Sequence, residues 1–248
     1  MADYDNRVLR GQTTTAGLVD SGLRSYMLRV YNYMLVGLLL TGITAYTVAE
    51  TPAIRDLFFA VNAQTGRLGL SPLGWIALIA PIGLVFFLSF RITKMSLATA
   101  QVTFWLYAGI NGIALSPIVL AYTGADVAQA FFVSAATFGA MSLWGYTTKT
   151  NLTGFGSFLF MGLIGIVIAS IVNLFFQSGA MSFAISVIGV LVFTGLTAYD
   201  TQWIKNTYAG ADDAATTGKK AIYGALKLYL DFINLFLMIL RLMGNGRR

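Results

Sequence analysis

The sequence predicts an all-α integral membrane protein with seven transmembrane helices, from its composition and from the spacing of its apolar runs. Of its 248 residues, 57% are hydrophobic and 10% are charged, whereas about 25% of the residues of an ordinary soluble domain are charged. The apolar runs lie close to the ~20 residues that an α-helix needs to cross the hydrocarbon core of a bilayer. A soluble globular core is therefore excluded as the first interpretation.

Seven apolar runs follow one another along the chain, separated by short polar or glycine-rich breaks and without an internal repeat. We therefore predict one transmembrane domain over residues 27–248, with its last helix central in the bundle. A polar, cytoplasmic tail over residues 1–26 is expected to precede it. The runs cover residues 30–49, 73–90, 97–120, 127–147, 155–176, 180–199 and 222–243.

The distribution of Lys and Arg predicts the orientation of these helices. Eleven of the 16 basic side chains fall on the side of the amino terminus and five on the other side, and cytoplasmic loops of membrane proteins are enriched in Lys and Arg. The amino terminus is thus expected in the cytoplasm. Seven spans would place the basic end "RLMGNGRR" outside, a conflict that a re-entrant last segment would remove, and the sequence leaves both open. Since no organellar targeting segment is evident, a bacterial inner membrane is expected.

The chain contains no Cys and no His. This absence excludes disulfides, metal sites built on Cys or His, and Ser-His or Cys-His catalysis, and no cofactor is expected. A response to pH near neutrality must then come from carboxylates. The net charge of +6 does not indicate a nucleic-acid partner, because membrane proteins collect Lys and Arg in their loops.

A polar stripe interrupts the last apolar run, in "LKLYLDFINLFLMIL", residues 226–240. At 100° per residue, Lys227, Asp231, Asn234 and Arg241 fall within about 80° of one another on one helix face. A carboxylate within a membrane costs at least ~2.5 to 3.5 kcal/mol on the insertion scale, so Asp231 needs a partner or a function. One interpretation is a pair with Lys227 along the same helix.

Asp200 and Arg91 lie at helix ends on the side where the last helix begins. Asp200 either lies beside Asp231, so that two carboxylates share one proton and titrate in two macroscopic steps, or is a solvated helix-end residue. Arg91 either clamps one carboxylate bidentately or extends to lipid phosphates. In "NGIALSP", the stretch from Asn111 to Pro117 either bends the third helix or frees backbone carbonyls for an ion.

Two carboxy-terminal motifs carry a resemblance to a known family. "TAYDTQWIK" followed by "LYLDFINLFLMILRL" closely resembles the last two helices of the Bax inhibitor-one family, also called the transmembrane Bax inhibitor motif family. "INGIALSPIVLAY" is similar to its third helix. The resemblance implies a slow calcium leak gated by a pH-sensing aspartate pair, which corresponds by motif to Asp200 and Asp231. It also implies a weak contact of calcium, the transported ion, with these aspartates, and a basic latch at Arg91.

Two functions of different classes follow. The first is a pH-sensitive leak channel for calcium or other cations, gated by Asp200, Asp231 and Arg91 and supported by further polar residues of the spans, namely Lys227, Asn234, Asn111 and Arg241. The alternative, implied by the resemblance to some bacterial members, is a membrane regulator whose amino-terminal tail binds a membrane-anchored quality-control protease. No enzyme is expected, since neither "AYDTQ" nor "YLDFI" resembles the motifs of intramembrane aspartyl proteases.

Overall fold

The structure is a computed structural model that describes residues 2–61 and 68–245, with side chains described for residues 21–60 and 69–244. This part of the chain contains eight α-helices and one antiparallel hairpin of two strands. The elements are α1 (Ala2–Glu50), α2 (Pro52–Phe58), β1 (Phe59–Val61), β2 (Leu68–Leu70), α3 (Pro72–Arg91), α4 (Leu97–Ala121), α5 (Gly124–Thr147), α6 (Thr153–Phe176), α7 (Gly179–Thr207) and α8 (Ala214–Asn245).

Six of the described helices are long and apolar enough to cross a membrane, by length and composition. They are α1, over Ser21–Glu50, and α3 to α7. The prediction of an all-α membrane protein is confirmed, whereas the count of seven spans is not, because α8 is not among the six. Even so, α8 extends along the whole of α4. Gly218 near its start packs against Leu97, and Gly244 near its end packs against Tyr122.

Short loops connect the long helices, and four of these helices begin at a side-chain cap. At four helix starts a Ser or Thr hydroxyl accepts a hydrogen bond from the backbone N–H three residues later, which satisfies one of the free donors of the first turn. These caps fix where each helix turns back into the bundle, so that sequential helices run antiparallel. The capping residues are Ser71, Ser96, Thr123 and Ser178.

α8 forms the centre of the bundle, as the sequence predicts. α1, α4, α5 and α7 pack around it, while α3 packs mainly against α4 and α6 mainly against α7. The apolar side chains of α8 are buried on several sides, whereas many large apolar side chains of α3 and α6, such as Phe90 and Phe175, are exposed. Outward apolar side chains are what a lipid environment favours. Because α3 packs mainly against α4, and α6 mainly against α7, one side of α8 borders a cavity and is not covered by another helix.

The segment between the first two predicted spans is structured rather than a simple break. It contains α2 and the hairpin, in which Phe59 pairs with Leu70. Ser71 Oγ donates a hydrogen bond of 2.6 Å to the Leu57 carbonyl, which fastens the hairpin to α2. These elements are too short for an apolar period to reveal them.

One end of the bundle carries the lysines. α3, α5 and α7 end there, and α4, α6 and α8 begin there; we call it the lysine end. Three of its lysines donate to backbone carbonyls at or just beyond the ends of α3, α5 and α7, where a cation is favourable because the last carbonyls of a helix lack partners. The donors and acceptors are Lys219 with Thr93, Lys205 with Tyr146, and Lys220 with Thr207.

Candidate functional site

Two buried carboxyl groups lie side by side where α7 and α8 pack together. Asp200 of α7 is 6% exposed and Asp231 of α8 is 5% exposed, and both side chains line the same cavity. Two carboxylates buried in one poorly hydrated site cannot both be ionised cheaply, which favours a proton on one of them. Asp200 is not a solvated helix-end residue, since α7 continues for about two more turns, to Thr207.

The cation of the site is Lys227. Its Nζ donates to Asp200 Oδ1 at 2.8 Å and lies 5.0 Å from the centre of the Trp203 ring. Lys227 therefore joins α8 to α7 and does not form its ion pair along α8 with Asp231. The ammonium has a carboxylate on one side and an aromatic face on the other, two contacts that favour a cation.

Asp231 keeps one oxygen without a partner. Among the described residues, no group donates a hydrogen bond to Asp231 Oδ2, although this oxygen is fully buried. A buried polar atom without a partner is costly, so its presence in a fold calls for an explanation by strain, function or an occupant of the site. An oxygen of this kind is a ready ligand for a cation or a water molecule.

A cavity of about 930 Å³ lies beside the pair, bounded by α6, α7 and α8, with Ser89 of α3 at its edge. Its α6 wall extends from Gly156 to Leu174, a helical length of about 27 Å, close to the ~30 Å thickness of the hydrocarbon core. The α6 wall is mostly apolar, and the charged groups lie on the α7 and α8 walls. The cavity thus leads from the lysine end, past the carboxyl pair, towards the opposite end of the bundle.

The polar stripe predicted on α8 faces this cavity. Lys227, Asp231, Asn234 and Arg241 all line it. Asn234 Nδ2 donates to the Leu230 carbonyl at 2.8 Å, so its amide is bound to its own helix. Arg241 is exposed near the far end of the cavity.

Arg91 does not contact the carboxyl pair, as the predicted latch would. Its side chain is exposed, and in the described part of the chain it forms no ion pair with Asp200 or Asp231. The physical reason is helical phase: Ser89 faces the cavity, and a residue two positions later points about 200° away. Lys227 occupies the place that the sequence assigned to Arg91.

Asn111 is not part of this site either. Its Nδ2 donates to the Tyr229 hydroxyl at 2.7 Å, on the face of α8 that packs against α1 and α4. The same hydroxyl lies 2.7 Å from Thr41 Oγ1. Sequence analysis missed Tyr229 as the centre of this cluster, because a tyrosine in an apolar helix carries no signal of its partners.

The acidic groups are few. In the ranges that the structure describes, no three Asp or Glu side chains come together to hold a metal ion. Calcium prefers six to eight oxygen ligands, and the pair offers two carboxyl groups. Two carboxyl groups are too few for a tight calcium site, and the weak contact of calcium with Asp200 and Asp231 stays a prediction.

Comparisons with known proteins cover nearly the whole chain. The family described as "Inhibitor of apoptosis-promoting Bax1" matches residues 23–248. An uncharacterized protein of Rickettsia prowazekii is 49% identical over 249 residues, the full length of both chains. The inner membrane protein YbhL of Escherichia coli is 49% identical over 229 residues, which cover 92% of this chain and 94% of YbhL. The family match and the match to the Rickettsia protein include both helices that carry the carboxyl pair.

Proposed function

The chain belongs to the Bax inhibitor family, and we propose that it is a pH-sensitive leak channel for calcium and other cations, with Asp200 and Asp231 as its gate. The observation that supports the proposal is the buried carboxyl pair on the wall of a cavity about as long as a bilayer core is thick. A bacterial inner membrane is the proposed location, since the related YbhL is named an inner membrane protein.

Protonation changes the charge that the pair presents to the cavity. With the shared proton in place, the charges of Asp200, Asp231 and Lys227 sum to zero. Loss of this proton leaves one negative charge in excess and makes the carboxylates of α7 and α8 repel each other, which shifts the balance between two arrangements of these helices. The excess charge attracts cations into the cavity, so the leak increases as pH rises.

Lys227 replaces Arg91 as the basic group of the gate in this proposal. It is bonded to Asp200, and its flexible stem lets the ammonium leave the carboxylate when a cation approaches. The concentration of lysines at one end of the bundle supports a cytoplasmic lysine end, by the enrichment of basic residues in cytoplasmic loops.

The decisive experiment is calcium flux into dye-loaded proteoliposomes between pH 6 and pH 8. We expect flux to rise with pH in the wild type and to lose its pH dependence in Asp200→Asn and in Asp231→Asn. Asp56→Asn is the matched control, because Asp56 is an aspartate whose side chain is 73% exposed, in α2. Absence of flux with folded protein contradicts the channel, and a pH dependence that survives in both variants contradicts the gate.

The alternative function, regulation of a membrane-anchored protease through the amino-terminal tail, predicts a different outcome. A deletion should end at residue 20, because Gly22 packs against Tyr208 and α1 is part of the bundle. Removal of residues 1–20 should abolish the effect on the protease under that function and should leave cation flux unchanged under ours.

A further inference from the structure

We infer that a groove between α1 and α5, at the end of the bundle opposite the lysine end, binds one phospholipid whose headgroup carries an ammonium group. The inference goes beyond the proposed function and does not depend on it, because the groove lies on another face of the bundle. Three observations lead to it: the depth of the groove, its apolar and aromatic lining, and a carboxylate at its mouth.

Four helices build the groove. α1 and α4 pack together on one side, α5 forms the other side, and α8 forms the floor, where the ring centres of Phe131 and Phe232 lie 5.6 Å apart. The groove has a volume of about 470 Å³, within the range of about 300 to 1,000 Å³ that is usual for small-molecule sites. Phe132 and Tyr46 on its rim are exposed, so the groove is accessible from the lipid.

The groove is about as deep as one leaflet of a bilayer. Along α1 it extends from Glu50, the last residue of this helix, to Leu38, a helical length of about 18 Å. Half of the ~30 Å hydrocarbon core is about 15 Å. Tyr122, just beyond the end of α4, and Gly124, at the start of α5, lie at the same end as Glu50. An acyl chain of one leaflet therefore matches the groove in length.

Below its mouth the groove offers an apolar surface. The hydroxyl of Thr41, deep in the groove, is already bonded, because its Oγ1 lies 2.7 Å from the Tyr229 hydroxyl and 2.9 Å from the Ala108 carbonyl oxygen. Beside Gly42 the groove is open, since a Cβ built there would meet no atom within 4 Å. The occupant of this part must be apolar, as a lipid tail is. Six aromatic residues contribute to the lining, namely Tyr46, Tyr122, Phe131, Phe132, Phe232 and Phe236.

The mouth carries a carboxylate without a cation. Glu50 is exposed and is the one charged residue among the described residues that line the groove. In the ranges that the structure describes it forms no ion pair, and the next basic residue along the chain, Arg55, is paired with Asp56 at 3.6 Å. Tyr46, one turn before Glu50, and Tyr122 add aromatic rings at this end. A carboxylate and aromatic faces both favour a cation.

The two parts of the groove thus match the two parts of one phospholipid. Its ammonium group contacts Glu50, its phosphate stays in water at the membrane surface, and one acyl chain lies along the floor that α8 provides. A phospholipid with a phosphate but no ammonium group would place a second negative charge next to Glu50, which is unfavourable. The site therefore selects by headgroup charge at its mouth and holds the tail by apolar contact.

Native mass spectrometry of the full-length, delipidated protein in detergent measures the selection. The protein receives phosphatidylethanolamine or phosphatidylglycerol with identical acyl chains at equal concentrations. We expect the first phosphatidylethanolamine to bind about three to five times more tightly than the first phosphatidylglycerol, as one exposed ion pair would produce. Glu50→Gln should bring this ratio close to one. Asp213→Asn is the matched control, because Asp213 is an exposed carboxyl at the opposite end of the bundle.

A substitution that fills the groove tests where the lipid lies. Gly42→Leu places a side chain in the open space of the groove, and we expect it to weaken binding of phosphatidylethanolamine at least to the level of phosphatidylglycerol in the wild type. Gly165→Leu is the matched control. A Cβ at Gly165 also has open space, and this residue belongs to α6, outside the groove.

Two outcomes overturn the inference: phosphatidylglycerol that binds the wild type as tightly as phosphatidylethanolamine, or a Gly42→Leu variant that binds phosphatidylethanolamine as the wild type does. Dimers that form without added lipid and disappear in Gly42→Leu would assign the groove to a second copy of the chain and would overturn it as well. If Gly42→Leu fails to fold, the ratio of the two lipids in the wild type and in Glu50→Gln decides alone.

Discussion

The two faces of α8 differ in how completely their polar groups are paired. Towards α1 and α4, the Tyr229 hydroxyl is bonded to Asn111 and Thr41, and its ring packs against Tyr107 with 5.4 Å between the ring centres. Towards α6 and α7, Asp231 retains an unpartnered oxygen at the wall of a cavity. The Tyr229 hydroxyl on the first face is fully bonded, whereas the Asp231 carboxyl on the second face is incompletely bonded.

This difference separates structural polar groups from functional ones. A buried network whose members are all satisfied fixes one arrangement of helices. A buried acceptor without a partner costs stability and persists where an occupant or a reaction uses it. Substitutions on the first face should therefore change stability, and substitutions on the second should change cation flux and its pH dependence.

The largest expected effect is that of Tyr229→Ala. The side chain is fully buried, and removal of a large buried aromatic ring costs about 3 to 5 kcal/mol. Tyr229→Phe should cost less, about 1 to 3 kcal/mol, since it leaves the partners of the hydroxyl unsatisfied. Unfolding by sodium dodecyl sulfate in mixed micelles measures both. A Tyr229→Phe variant that lost the pH dependence of flux but no stability would contradict the separation of the faces.

Asp231→Leu should have the opposite pattern, with little change in stability and a loss of the pH response. The substitution removes a buried, unpartnered oxygen, whose burial costs about 1 to 3 kcal/mol, and the loss of the other polar contacts of the carboxyl group offsets this gain. The free energy of unfolding should therefore stay within about 1 kcal/mol of the wild type, while the pH dependence of calcium flux disappears. A loss of stability as large as that of Tyr229→Ala would show that the pair is a structural element and not a gate.

The same replacement, asparagine by leucine, at Asn111 and at Asn234 compares the two faces again. Asn111→Leu removes a donor to Tyr229 and should cost about 1 to 2 kcal/mol, with the pH dependence of flux intact. Asn234→Leu removes an amide that is bonded only within α8 among the described residues, so it should cost less than about 1 kcal/mol. Because Asn234 lines the cavity, its replacement should lower the rate of flux. Equal effects of the two substitutions on flux would remove the distinction.

Apolar length was enough to predict the main helices, because a membrane helix must be long and continuous. Each predicted run lies within one helix, from α1 and α3 to α8. The end of α7 could not be predicted in this way. Beyond residue 199 its sequence is polar, and the helix continues because Gln202 bonds both the Thr150 carbonyl and the Leu152 N–H, contacts that depend on the tertiary fold.

The site was predictable only as far as helical phase and side chain type determine it. The stripe of Lys227, Asp231, Asn234 and Arg241 needs only 100° per residue, and all four residues face one cavity. The partner of each charge depends on how neighbouring helices are rotated. Thus Lys227 rather than Arg91 bonds Asp200, and no spacing along the chain indicates that choice.

The smallest expected effect concerns Asp213, which caps the start of α8 by accepting a hydrogen bond from the Thr216 backbone N–H. Hydrogen bonds from the Thr216 hydroxyl and from its backbone N–H hold the pKa of this exposed carboxyl below its usual value. A depressed folded-state pKa means that the cap stabilises the protein fully above the unfolded value of about 3.9 and loses this contribution as pH falls through the lower, folded value. Between pH 6 and pH 8 Asp213 therefore stays ionised.

Asp213→Asn tests this assignment, because asparagine caps a helix about as well as aspartate but does not titrate. We expect unchanged flux and unchanged pH dependence between pH 6 and pH 8, and a thermal midpoint that varies less with pH below pH 4 than that of the wild type. A changed pH dependence of flux near neutrality would mean that a carboxyl at the lysine end, outside the cavity, contributes to gating. The pH response would then belong to the start of α8 as a whole, and the contrast between its two faces would no longer account for it.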